Sequence, residues 1–379
     1  MLEQILGLPV TLVSFVFVLT IVVFVHEFGH FYIARRNGVR CDAFSIGFGP
    51  ELFGFTDRHG TRWKFCLIPV GGYVKMFGEA DTMQAVEGGA EGEPKEMVPR
   101  ELTPEEKTVS FKHKTIGQRA AIVFAGPAVN FLFAIVVFWL IFMTVGRPVT
   151  EPVVGLVEAG SAAAEAGLVA NDRIVAINGK TMERFESIRT TIPLSDGSPM
   201  TVLIQRGDEE LTLTVTPRMT ERKDTFGKLQ KSYIIGIGPS SESKQVVIRN
   251  PIEAFSASVG VTYEVVDSTF IALGQIIKGT RGTQDLGGPI SIAKYSGQAA
   301  KNGWMNFIVF VAILSINLGL MNLFPVPMLD GGHLLFYAIE AVRGRPLSER
   351  AQEWGLRVGL AIVGALMIFV TGNDIVHLF

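Results

Sequence analysis

Four stretches of this chain, residues 7–34, 118–145, 304–325 and 357–373, are apolar with few charges and long enough to cross a bilayer as helices. Residues 13–25 read Val-Ser-Phe-Val-Phe-Val-Leu-Thr-Ile-Val-Val-Phe-Val, which leaves no face for water. A helix of that kind is surrounded by lipid or protein. Residues 251–278 have apolar positions at helical spacing but carry Glu253, Glu264 and Asp267. They are read as an amphipathic helix resting on the outer membrane surface or packed on the bundle.

Elsewhere the pattern shortens. Within 44–76, Trp63, Phe65 and Leu67 alternate along the chain, and Gly47, Gly49, Gly71 and Gly72 suit a hairpin. Between 150 and 240 come short β-like runs, 153–157, 200–206 and 211–215, separated by turn signals such as Gly160, Gly167 and Asn178-Gly179. Residues 78–110 are rich in Glu, Gly and Pro and poor in aromatics, and read as a solvated loop without a fold. The expected architecture is a polytopic α-helical membrane protein with four transmembrane helices, a β hairpin or sheet and one α+β domain. Its parts are an N-terminal membrane core over 1–145, the domain over 150–240, the surface helix over 251–278 and a C-terminal membrane core over 304–379.

Composition narrows the class. With 379 residues, 48% of them hydrophobic, and a positive mean hydropathy, the chain is too apolar for a soluble enzyme, yet its polar stretches are long. A net charge of −2 and the lack of a basic stripe give no support to a nucleic-acid partner. The N-terminus lacks a positive region and a small-residue cleavage pattern, so its apolar stretch reads as a retained helix. Lys and Arg crowd the first connection (Arg35, Arg36, Arg40, Arg58, Arg62, Lys64, Lys112, Lys114, Arg119) and the third (Arg343, Arg345, Arg350). Those connections are expected in the cytoplasm, with both termini and the long second connection outside. Cys41 and Cys66, the two cysteines, would then be cytoplasmic free thiols.

The chemistry lies in His26-Glu27-Phe28-Gly29-His30, inside an apolar run from Ile5 to Ile33 whose only other ionisable side chain is Tyr32. Two histidines four residues apart share a helix face, where neutral imidazoles can bind Zn²⁺ while the glutamate acts on a water. Burying three such groups at membrane depth is costly, and ionisable residues there are functional by default. Hydrolytic zinc takes three protein ligands, so a partner is needed. Asp330 is the best candidate, in Asn322-Leu-Phe-Pro-Val-Pro-Met-Leu-Asp-Gly-Gly, where Pro325 and Pro327 must end a helix and open the backbone. Taken alone, Asp-Gly is also an ordinary turn. His333 is a rival ligand; His59, His113 and His377 lie in polar or terminal stretches and are read as solvated. Asn322 could donate to a developing oxyanion or simply bridge helices. For the depths of Asp330 and the histidines to match, 7–34 and 304–325 must run in the same direction, which excludes a further span at 251–278.

The motifs HEFGH at 26–30, FSIGFGP at 44–50, IPVGGYVKM at 68–76, GQRAAIVFAGPAVNF at 117–131 and NLFPVPMLDGGH at 322–333 together resemble the site-2 protease family of intramembrane metalloproteases, most closely its bacterial regulator-of-sigma-E branch. The resemblance implies His26, His30 and Asp330 as zinc ligands, Glu27 as catalytic base, and Asn322 and Asn130 as polar helpers near the cleft. It also implies that 44–76, with its four glycines, re-enters the membrane beside the zinc. An exposed strand edge there would take an unwound substrate segment by β-addition. The run GSAAAEAGLVANDRIVAINGK at 160–180 resembles one bacterial-type PDZ domain, with Ile235-Gly236-Ile237-Gly238 as the candidate peptide-carboxylate loop. The alternative role for that domain is a plug that limits access by size. Better-known members of the branch carry two such domains. The implied activity is cleavage of a single-span membrane protein in the bacterial inner membrane, near its cytoplasmic side, with lipid as the surrounding partner. An anti-sigma factor already cut outside is the implied substrate; signal-peptide remnants or another regulatory protein remain alternatives. A non-catalytic PDZ scaffold would not need Glu27, and a metal transporter would spread its ionisable groups along the spans.

Overall fold

The computed structural model describes residues 2–79, 83–85, 97–99, 101–146, 148–195, 197–223, 229–240, 246–247, 250–279, 282 and 286–376. The first half of the chain forms α1 (Leu2–Arg36), β1 (Cys41–Thr56), β2 (Arg62–Met76), β3 (Met83–Ala85), β4 (Met97–Pro99), α2 (Pro104–Val109) and α3 (Ile116–Thr144). Then come β5 (Pro148–Val149), β6 (Val154–Val157), α4 (Ala162–Glu165), β7 (Arg173–Ile177), β8 (Lys180–Thr181), α5 (Phe185–Thr191), β9 (Met200–Arg206) and β10 (Glu209–Val215). After β11 (Arg218–Lys223), β12 (Leu229–Ile234), β13 (Ile237–Pro239) and β14 (Val246–Val247), the rest is helical. Those helices are α6 (Pro251–Ile277), α7 (Pro289–Lys301), α8 (Trp304–Asn322), α9 (Asp330–Arg343) and α10 (Glu349–Val376). The chain divides into two units, Met1–Ala134 with Leu286–Phe379, and Ile135–Asp285.

Among the described residues four helices are long and apolar enough to span a membrane: Pro9–Arg36, Ile116–Thr144, Trp304–Asn322 and Arg350–Val376. These are the four stretches expected from the hydrophobic pattern, with shifted ends. The third stops at Asn322 rather than 325 because Pro325 supplies no N–H and bars helix from the residue before it. The fourth begins a few residues before 357, since Glu349 to Trp354 are good helix formers that hydropathy alone leaves out. α1 ends where Gly38 takes a left-handed φ of 68°. There Gly38 N–H reaches Arg35 O and Val39 N–H reaches Ala34 O, the paired bonds of a Schellman stop.

Residues 41–76 are more than the expected hairpin. Ile46 lies opposite Gly72 on one side and Phe65 on the other, and Phe53 also faces Phe65. The two strands are therefore folded over, and their segments stand in the order 51–56, 62–66, 43–46, 72–76. Gly47 and Gly71, at φ of 87° and 93°, are where the two strands bend. Segment 72–76 is the edge beside α1. The sheet's inner face stacks Phe44 on Trp63 at 4.4 Å and sets Phe31 of α1 edge-on to Trp63 at 5.2 Å. Val74, Ile122 and Val123 complete that core. Cys41 is buried within it and Cys66 half-buried, both as free thiols; burial pushes the Cys41 thiol up to about 12 against the opposing pull of Arg35.

Part of the loop expected over 78–110 lies outside the described residues. The described part does have structure: β3 pairs with β4, and α2 is started by a capping box between Thr103 and Glu106. This corrects the reading of a stretch without a fold, which weighed composition and missed the local cap. His377 also lies outside the described residues. His113 meets Ser110 Oγ at 3.0 Å and His59 is exposed.

In the second unit a sheet of order β10-β9-β7-β8 and the pair β6–β13 enclose a core of Val154, Ile174, Ile188, Val202 and Ile204. α6 carries the acids that argued against a span, and two of the three, Glu264 and Asp267, are paired within this unit. Glu264 meets Arg184, and Asp267 lies 3.7 Å from Lys180. Gln275 donates to Leu194 O, and Trp139 of α3 donates to Pro251 O at 2.9 Å. The polar side of α6 is thus docked on residues 180–195, while Ile252, Phe255, Tyr263 and Phe270 stay exposed.

Candidate metal centre

Helical spacing sets His26 and His30 one turn apart on α1, and both are buried. Asp330 comes from the other end of the chain. α8 ends at Asn322, the chain turns through Pro325 and Pro327, and Met328 adopts a φ of 93°, a strained value for a side chain of its size. Asp330 then opens α9. Gly331 and Gly332 seat that turn on the backbone before it; a Cβ on Gly331 would lie 2.2 Å from Leu323 O.

Three ligand atoms converge. Asp330 Oδ2 is 3.2 Å from His26 Nε2 and 3.5 Å from His30 Nε2, and the two Nε2 atoms are 3.2 Å apart. Zn–N bonds of about 2.0–2.1 Å in a tetrahedron put ligand atoms roughly 3.3 Å apart, so the spacing fits zinc. Protonation fits as well. His30 Nδ1 lies 2.9 Å from Ile122 O; a carbonyl can only accept, so Nδ1 carries the proton and Nε2 is left a bare acceptor. His26 Nδ1 lies 3.2 Å from the amide of Asn130, whose buried Oδ1 has no partner. Turning the isosteric amide over satisfies that oxygen with an Nδ1–H and bares His26 Nε2. Asp330 Oδ2 is buried without a hydrogen-bond donor. Acceptors facing one another in a buried site call for a cation.

α3 is the template behind the histidines. Gly126 faces them so closely that a Cβ there would sit 2.3 Å from His30 Nε2, and a Cβ on Gly29 would sit 2.4 Å from Ala125 O. Ile122, Gly126 and Gly29 are site residues that pattern reading did not single out. A backbone carbonyl has no sequence signature, and the two glycines matter only because two helices cross there.

Glu27 lines a cavity of about 540 Å³ with the three converging residues and Asn322. Asn322 Nδ2 lies 3.3 Å from His26 Nε2. The Glu27 carboxylate faces the Val74 backbone N–H, and a Cβ on Gly72 would sit 3.3 Å from Glu27 Cγ and 2.7 Å from Ser45 O. Of the four glycines expected beside substrate, Gly71 and Gly72 line this cavity. Gly47 and Gly49 pack toward Ile68 instead. His333 lines the cavity but stands outside the converging group. Gly236 and Gly238 belong to the second unit: Gly236 O accepts from Glu158 N–H at 2.9 Å, and Gly238 pairs with Leu156.

Comparison with known proteins finds a family that matches most of the chain. The model of Peptidase family M50 matches residues 14–366. A Rhizobium meliloti protein, named provisionally as a zinc metalloprotease, is 43% identical over 375 residues, covering 98% of each chain. The regulator of sigma-E protease of Salmonella typhimurium is 32% identical, covering 96% of this chain and 98% of its own. A solved PDZ domain of an SdrC-like protein from Listeria monocytogenes aligns with 24% of this chain and 86% of its own at 22% identity, with a TM-score of 0.19.

Proposed function

The chain belongs to peptidase family M50 and is a zinc metalloendopeptidase, and from that premise we propose that it cuts single-span membrane proteins within or beside their transmembrane helix. His26, His30 and Asp330 would hold the zinc. Bound there, zinc supplies Lewis-acid polarisation of the scissile carbonyl and of the attacking water. Glu27, one residue from His26 and facing the cavity, takes the proton of the attacking water and delivers it to the leaving nitrogen. Asn130 sets the ring of His26. The Asn322 amide, which lines the same cavity, would steady a substrate carbonyl oxygen.

A helical substrate hides its peptide carbonyls in its own hydrogen bonds, so it must unwind before it is cut. Segment 72–76 is the sheet edge beside Glu27, and its backbone can take an unwound strand by β-addition. Gly72 allows that edge to approach α1 so closely.

The placement of Lys and Arg supports a bacterial inner-membrane protein with both termini and the domain over 150–240 outside and the zinc site near the cytoplasmic face. We read that domain as PDZ-like and as a filter that limits which substrates reach the cleft. The relative named regulator of sigma-E protease supports an anti-sigma-factor type of substrate, first shortened on the outer side.

The convergence of His26, His30 and Asp330 around an unpaired carboxylate oxygen carries this reading. Its test is cleavage of a single-span substrate in detergent by the wild type and by Glu27→Gln, with zinc measured in both. Cleavage by the wild type alone, with zinc in both, is expected. Equal cleavage by both would assign the base elsewhere, and a wild type without zinc would overturn the reading.

A further inference from the structure

We propose that the buried ion pair between Arg119 and Glu340 is a positioning device that sets Asp330 against the two histidines; the proposal rests on the zinc reading above. Arg119 Nη2 lies 2.6 Å from Glu340 Oε1, and the two side chains keep only 15% and 14% of their surface in solvent. The Arg119 guanidinium also lies over the Tyr337 ring, 4.8 Å from its centre. Tyr337 and Glu340 are three residues apart on one face of α9, so both contacts grip the same side of that helix.

The other end of α9 shows why such a grip is needed. Asp330 is the first residue of α9 and Glu340 lies ten residues on, about 15 Å along the axis. α9 is not continuous with α8, because the chain between them is broken at Pro325 and Pro327 and strained at Met328. The tilt and rotation of α9 are therefore not inherited from α8. α3 supplies the missing reference: Ile122 holds His30, Asn130 holds His26, and Arg119, one turn before Ile122, holds α9. All three candidate ligands are thus aligned on one helix, the histidines directly and the aspartate through the ion pair.

Stability does not account for the pair. A buried ion pair recovers little or nothing beyond what two well-packed apolar side chains would give, and this one leaves Arg119 Nε buried without a partner. A two-point contact, ionic at Glu340 and stacked at Tyr337, does fix direction, as an apolar contact would not.

The test uses the full-length protein in detergent, with Arg119→Glu, Glu340→Arg and the double exchange. Zinc affinity is measured by competition with a chromophoric chelator, beside kcat and KM on a single-span substrate. Each single reversal is expected to weaken zinc about 10–100-fold, the usual cost of losing an outer support, and to lower kcat with KM little changed. The double exchange, which restores opposite charges, is expected to recover most of both. Should reversal prevent folding, Arg119→Lys and Glu340→Gln carry the same test without placing like charges together, with a loss of about tenfold expected. Wild-type zinc affinity in the single variants, or no recovery in the double exchange, overturns the positioning role while leaving the protease reading intact. A wild type that binds no zinc overturns both.

Discussion

The amide of Asn130 stands 3.2 Å from Nδ1 of His26, fully buried, with its oxygen unpaired. Only one orientation of that amide leaves Nε2 of His26 free to bind a metal, so Asn130 chooses the tautomer as well as the ring angle. Asn130→Ala should lower zinc affinity about 10–100-fold with the fold retained. Chelator competition on the purified variant measures this, and unchanged affinity would remove Asn130 from the site.

Gly126→Ala adds a methyl group 2.3 Å from His30 Nε2. Either the ring moves out of place or α1 and α3 separate, and overpacking of this kind costs about 1–3 kcal/mol. The expected outcome is loss of stoichiometric zinc together with a lower unfolding temperature. Zinc analysis and a thermal melt, run on the same preparation, check both.

Asp330→Ala should lose zinc while the helices stay folded. Asp330 is a surface of acceptors rather than part of an apolar core, so its removal leaves little cavity. Circular dichroism and zinc content decide the matter; zinc retained at one per chain would move the third ligand, with His333, which lines the same cavity, as the rival.

Asp172 offers a pH test in the second unit. Burial pushes its carboxyl up, but hydrogen bonds from Arg206 at 2.7 and 2.8 Å and from Val169 N–H outweigh this and hold it below the ordinary range. A depressed value in the folded state means that the stabilisation is fully present above the unfolded value of about 3.9 and is lost as pH falls below it. Asp172→Asn should cost about 1–3 kcal/mol at neutral pH and flatten the acid limb of the melting curve. An unchanged acid limb would assign the pH dependence elsewhere.

Deleting residues 150–240 should widen the range of substrates cut without abolishing cleavage, as a size filter requires. Competition between intact and pre-shortened single-span substrates measures it. Complete loss of cleavage would instead make the domain part of catalysis or folding.

What the sequence determined by itself was what local chemistry determines. An apolar run without a polar face reads as a membrane helix from any short window, and a histidine spacing of four puts both rings on one side of that helix before any fold is known. Pro325 and Pro327 likewise announce a broken helix, because each removes a donor at its own position. The edges of these readings slipped where the signal was spread or weak: α9, the fold-over of β1 and β2 at Gly47 and Gly71, and α2 with its capping box. Tertiary structure decided the rest. Asp330 lies 300 residues from His30, and nothing in its own neighbourhood separates a ligand from an ordinary turn. The roles of Ile122, Gly126, Arg119 and Glu340 arise where α1, α3 and α9 meet. A carbonyl's direction, the room left by an absent side chain and the matching of two charges 221 residues apart exist only once those helices have packed.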